Sequence, residues 1–162
     1  MANKNELVND TADREIITTR LLNAPRELVF EAFTKPEHVA KWWGPDGFAT
    51  TTHEMDVKPG GVWRFMMRGP DGTDYPNKIV YIEVVKPERL VYKHTGDDDN
   101  EDEYFQVVVT FEAQGDKTNL TMRAIFKTAA ELERVVKEHG AIEGAIQTIN
   151  HLETYLISMP VG

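Results

Sequence analysis

The chain has 162 residues, 41 % hydrophobic and 28 % charged, with a formal net charge of −9; that is the length of one domain and an ordinary globular composition. It contains no cysteine, which excludes disulfide frameworks, thiolate metal sites and cysteine nucleophiles. No apolar run approaches the roughly 18 residues of a membrane span, no signal-peptide core is present, and an acidic balance opposes binding to nucleic-acid phosphates. The expectation is a cytoplasmic protein with neither a membrane nor a nucleic acid as partner.

Residues 1–13 are polar and unpatterned and read as a disordered tail before one domain spanning 14–159. A strand rich in β-branched residues begins at Glu15 and stops at Ala24-Pro25. Leu28, Val29, Ala32 and Phe33 then recur at helical spacing, with Pro25 suited to the first helical position. A second short helix follows, with Thr34 as its expected cap, Val39, Trp42 and Trp43 on its apolar side, and Gly44-Pro45 as its stop.

From Phe48 the period becomes two. His53, Met55 and Val57 alternate with acids, Pro59-Gly60-Gly61 makes a turn, and Trp63, Phe65 and Met67 alternate with Arg64, Met66 and Arg68. Further strands are expected over 78–86, 89–95, 104–111 and 119–126, giving an antiparallel meander. Between the second and third of these strands, residues 97–103 hold six acids in seven positions, which reads as a solvated loop; the calcium-loop pattern is absent. Thr128 and Glu131 form a capping-box signature, and Gly140 interrupts the helical segment they open. Beyond it Ile142, Ala145, Ile146, Ile149, Leu152 and Leu156 make an apolar stripe with Glu153 at its edge.

One antiparallel sheet with one face to bury, and one amphipathic helix able to cover it, have a single economical packing: an α+β arrangement of about six to seven curved strands wrapped round the C-terminal helix. The strand order places two short helices after the first strand, at one end of this wrap. Large groups on the concave strands (Trp63, Phe65, Met67, Tyr81, Phe105, Met122) face small ones at Gly144 and Ala145, and that mismatch leaves room for a cavity.

The segments NAPRELVFEAFTKPEHVAKWWGP, DVKPGGVWRF, KPERLVY and DKTNLTM, in this order, resemble the family of homologues of the activator of the heat-shock-protein-90 ATPase. That family lies within the START-like, birch-pollen-allergen-like superfamily called SRPBCC. The resemblance covers about residues 15–158 and implies a helix-grip fold with a hydrophobic cavity. It also implies a range of roles: superfamily members bind lipids, sterols and polyketides, some act as cyclases or dehydratases, and the eukaryotic activator contacts a chaperone.

The residues themselves leave three functions in view. The first is a module holding a small apolar or amphipathic molecule, with Trp43, Met55, Trp63, Phe65 and Met67 as one group of wall residues. Tyr81, Tyr92, Phe105, Met122, Ala145 and Ile149 would form the other, with His53 aimed inward by its alternation with Met55. One tryptophan of the 42–43 pair would line the cavity and the other plug the end of the fold. The second is an enzyme in which His53 or His94, with Glu83 and Tyr81, moves a proton and holds an oxyanion; the competing reading makes the histidines ordinary strand residues bonded locally and Glu83 an outward carboxylate on a solvated face. Glu153 would sit at the rim. The third, a module acting on a chaperone, rests on the resemblance alone. No metal spacing, phosphate loop or dinucleotide fingerprint is present, so neither a metal nor a cofactor is expected.

Overall fold

The β-branched opening run forms β1 (Glu15–Leu22) in a computed structural model that describes residues 12–96 and 104–159. A single 3-10 turn, Ala12–Arg14, precedes it. Two short helices follow, α1 (Arg26–Thr34) and α2 (Pro36–Trp42). Six strands come next: β2 (Ala49–Met55), β3 (Val62–Arg68), β4 (Asp74–Val85), β5 (Arg89–Gly96), β6 (Tyr104–Gln114) and β7 (Lys117–Ile125). Two helices close the chain, α3 (Ala129–His139) and α4 (Ala141–Ser158). The acidic run 97–103 and the tail residues 1–11 lie outside the described residues.

All seven strands form one antiparallel sheet in the order β1-β7-β6-β5-β4-β3-β2. The meander of β2 to β7 is the expected one, and β1 closes its far side by pairing with β7. This is the helix-grip arrangement: α4 lies along the face the sheet turns inward, with Ile149, Leu152 and Leu156 buried against it. Thr128 caps α3 as its spacing predicts, its hydroxyl accepting from the Glu131 N–H at 3.0 Å. Gly140, in the left-handed conformation at φ 58°, then splits the C-terminal segment into two helices.

Three local expectations fail for local reasons. Thr34 does not cap α2; its hydroxyl donates to the Phe30 carbonyl at 2.9 Å and closes the last turn of α1, while Lys35 precedes α2. Pro25 lies just outside α1 rather than at its first position. On α4, Ile142 and Ile146 are 48 % and 45 % exposed: the helix is rotated so that its small residues, Ala141, Gly144 and Ala145, border the space between helix and sheet instead. Glu153 reaches from the helix edge to Arg20 of β1 at 3.0 Å, a rim ion pair.

The core concentrates at the α1–α2 end. Trp42 is 1 % exposed, stands edge-on to Phe33 at 4.8 Å and donates its indole N–H to the Ala32 carbonyl at 3.0 Å. Phe30 and Phe33 each meet Phe111 edge-on at 5.2 Å. Such rings contribute both area and edge-to-face attraction. Trp42 is the plug of the fold.

Candidate functional site

Side chains that share the concave face fall into rows across the strands. One row runs Trp63, Ile79, His94 and Phe105; the next runs Tyr81, Tyr92, Val107, Ala124 and Ile16. At the β3–β4 side the space under α4 is filled. Trp63 and Phe65 are each 1 % exposed and stack at 4.0 Å, and Trp43 covers them, 4.8 Å from Trp63 and 6.0 Å from Phe65. Toward β1, β5, β6 and β7 the rows carry Thr18 and Ala124, and the facing helix carries glycine and alanine. A cavity of about 400 Å³ opens there.

Trp43 is positioned by its backbone. Its N–H donates to the Val39 carbonyl at 3.0 Å, and its own carbonyl accepts the Thr50 hydroxyl at 2.8 Å. With the backbone fixed at both ends, the indole forms one wall while Trp42 stays in the core. Met67, Tyr92, His94, Phe105, Met122, Ala145 and Ile149 also border the cavity. Phe105 stacks on Phe126 at 4.9 Å to make the opposite wall.

Five residues expected at the cavity do not border it, and two of the failures share one cause. Trp63 and Phe65 lie behind Trp43. Met55, opposite Trp63 in the β2–β3 register, packs against the same cluster. Tyr81 is 2 % exposed and buried in the core. His53 is exposed, because the register slips between Thr52 and Glu54 and makes it the extra residue of a bulge. The same device disposes of Glu83: the slip between Tyr81 and Glu83 sends its carboxylate to the opposite face from Tyr81, where it pairs with Arg89 at 3.1 Å. A one-residue slip reverses every later side chain. His53, Glu83 and Tyr81 therefore do not converge with His94 on a common site.

The cavity residues that sequence reasoning passed over are Ile16, Thr18, Val107, Ala124, Phe126 and Thr148, with the small residues around Gly44 and Gly140. A signal existed. Ala124 and Phe126 continue the alternation of Met122, and Ile16 and Thr18 sit opposite Ala124 and Met122 once β1 is paired with β7.

The polar content of the walls is sparse and uncharged. None of the lining side chains is Asp, Glu, Lys or Arg. His94 bonds Asn77 through Nε2 at 2.9 Å, and burial pushes its pKa down to about 4, so the ring is neutral at physiological pH. Burial, with the Tyr81 hydroxyl nearby, pushes the Tyr92 phenol pKa upward, so it too stays neutral. Among the described residues no three of His, Asp or Glu gather as metal ligands would, and no helix is long and apolar enough to cross a membrane. The turn at Pro59-Gly60-Gly61 is tied to β4, with Gly60 N–H donating to the Tyr81 carbonyl at 2.8 Å and Tyr81 N–H to the Gly61 carbonyl at 3.0 Å; it serves the sheet.

The model of the family described as Activator of Hsp90 ATPase homolog 1-like protein matches residues 23–157. Among solved structures, a protein of Mycobacterium smegmatis is 26 % identical, with a TM-score of 0.82 over 92 % of this chain and 94 % of its own. A protein of Nitrosomonas europaea is 25 % identical, with a TM-score of 0.80 over 91 % of this chain and 96 % of its own. A protein of Silicibacter pomeroyi named for the same family shares the fold at 18 % identity, with a TM-score of 0.72 over 89 % of this chain and 98 % of its own. No curated protein matches the chain.

Proposed function

The chain belongs to the family of Activator of Hsp90 ATPase homolog 1-like proteins, and from that premise we propose that it holds a small apolar or amphipathic molecule between the sheet and α4. One observation carries the reading: a cavity of about 400 Å³ whose walls are aromatic and aliphatic and carry no charged side chain. That size is within the range of small-molecule sites, and apolar walls with a few polar groups are their usual chemistry. The small residues of α4 support it as well, since a helix that only had to fill the sheet would carry large ones there.

Native mass spectrometry of the purified protein, followed by titration with fatty alcohols, fatty acids, sterols and polyphenols, tests this directly. Trp43 in the wall makes indole fluorescence the natural readout. Saturable quenching is expected, and Ala145→Trp, which fills the cavity from the helix side, should abolish it. Flat titrations with the whole panel, or binding unaltered in the filled variant, would refute the reading.

A further inference from the structure

His94 shows the cavity a nitrogen that can only accept a hydrogen bond. Asn77 Nδ2 donates to the Tyr75 carbonyl at 2.9 Å, which leaves Asn77 Oδ1 facing His94. The His94 Nε2 at 2.9 Å from that oxygen must therefore carry the proton and donate it. A neutral imidazole has one N–H, so Nδ1 holds a lone pair. Among the described residues every buried side-chain nitrogen and oxygen has a partner. Nδ1 takes none from the protein, so it is open to the cavity that His94 borders. Two positions earlier on the same face of β5, the Tyr92 hydroxyl is in the same situation.

We propose that the molecule held in the cavity is electrically neutral and carries a hydroxyl group whose O–H donates to His94 Nδ1, with Tyr92 as a second contact and Asn77 as the positioning residue that fixes the acceptor tautomer. This rests on the binding reading above. The selection follows from what each alternative leaves unpaired. An ionised carboxylate would meet a lone pair and give up its hydration with no cation in the wall to replace it. An ether of the same length would bury Nδ1 without a donor.

Calorimetric titration with 1-decanol, nonyl methyl ether and decanoate at neutral pH separates these cases. The wild type should bind decanol about five- to tenfold more tightly than the ether, the effect of one hydrogen bond, and decanoate more weakly still. In Asn77→Asp the carboxylate holds the ring as imidazolium, Nδ1 becomes a donor, and preference should move from decanol toward decanoate. A purely structural role for Asn77 would weaken all three probes alike. In His94→Phe the alcohol and the ether should bind equally. Equal affinities for alcohol and ether in the wild type would overturn the inference while leaving the cavity's binding role standing; no binding of any probe would overturn both. The ¹⁵N shifts of His94 in the unaltered protein test the tautomer independently of any variant, and protonation at Nδ1 instead of Nε2 would overturn the proposal.

Discussion

A Cβ built on Gly61 would lie 1.9 Å from the carbonyl oxygen of Asp56. That carbonyl already accepts the Lys58 N–H at 3.1 Å, and Gly61 N–H donates to the Lys58 carbonyl at 2.7 Å, so the turn between β2 and β3 is bonded across itself where the clash would fall. The demand for glycine here is steric contact with backbone, which cannot swing aside as a side chain can. Gly60 beside it instead needs its positive φ of 83°, a region glycine alone enters freely.

Gly61→Ala is therefore expected to destabilise the fold by at least about 2 kcal/mol, the range of substitutions that force backbone strain or break a turn. Chemical denaturation at constant slope would measure it. Because the same turn is bonded to Tyr81 of β4, amide exchange should rise in β4 as well as in the turn. A variant as stable as the wild type would mean that the turn yields without cost.

Thr118 is 0 % exposed and donates its hydroxyl to the Ala24 carbonyl at 2.7 Å, tying β7 to the corner where β1 gives way to α1. Thr118→Val keeps the shape and removes the donor. The buried carbonyl then loses a partner, which costs about 1 to 3 kcal/mol. Thermal or denaturant unfolding checks it, and Thr118→Ser, which restores the hydroxyl, should recover much of the loss.

Protonation of His94 sets a pH dependence of known sign. Its pKa is pushed from 6.5 down to about 4 by burial. Above 6.5 the ring is neutral folded and unfolded, and the histidine adds no slope. Between 6.5 and 4 the unfolded chain binds a proton that the folded one refuses, so stability falls as the solution is acidified. At about 1.4 kcal/mol per pH unit, acidification from pH 7 to 4.5 should cost the wild type roughly 2 to 3 kcal/mol more than it costs His94→Gln. Parallel pH profiles for the two proteins would contradict this.

Reading the sequence located the sheet, its meander and the helix across it, because period-two alternation, turn residues and the Thr128–Glu131 cap are local signals that tertiary contacts here reinforce. It also placed a cavity between sheet and helix from the small residues at Gly144 and Ala145. It misplaced that cavity along the sheet. The large residues Trp63 and Phe65 suggested a lining, whereas they fill their half of the space under Trp43, and the room lies where Thr18 and Ala124 are small. Strict alternation aims His53 inward and puts Glu83 on the face of Tyr81, whereas each sits at a register slip, and Glu83 takes the outward, solvated place that the competing reading gives it. A bulge depends on how two strands meet, and neither strand's own pattern records it. The Asn77 contact with His94 was out of reach for the same reason: it requires the β4–β5 register.

Gly144 provides a final prediction, in the opposite direction. It lies inside α4, where glycine costs about 1 kcal/mol relative to alanine. An added Cβ would meet only Pro45 Cβ, at 3.8 Å, an ordinary van der Waals distance. Its conformation is helical and no turn or positive φ requires the glycine. Gly144→Ala should therefore stabilise the protein by about 0.5 to 1 kcal/mol, raising Tm by roughly 1 to 4 °C for a domain of this size. Gly144 and Pro45 both border the cavity of about 400 Å³, of which one methyl takes only a small part, so the affinity for decanol should change less than twofold. A rise in Tm with affinity kept would show that the glycine is dispensable to the helix and to the site. Unaltered Tm with affinity lost would instead assign Gly144 to the space the ligand occupies.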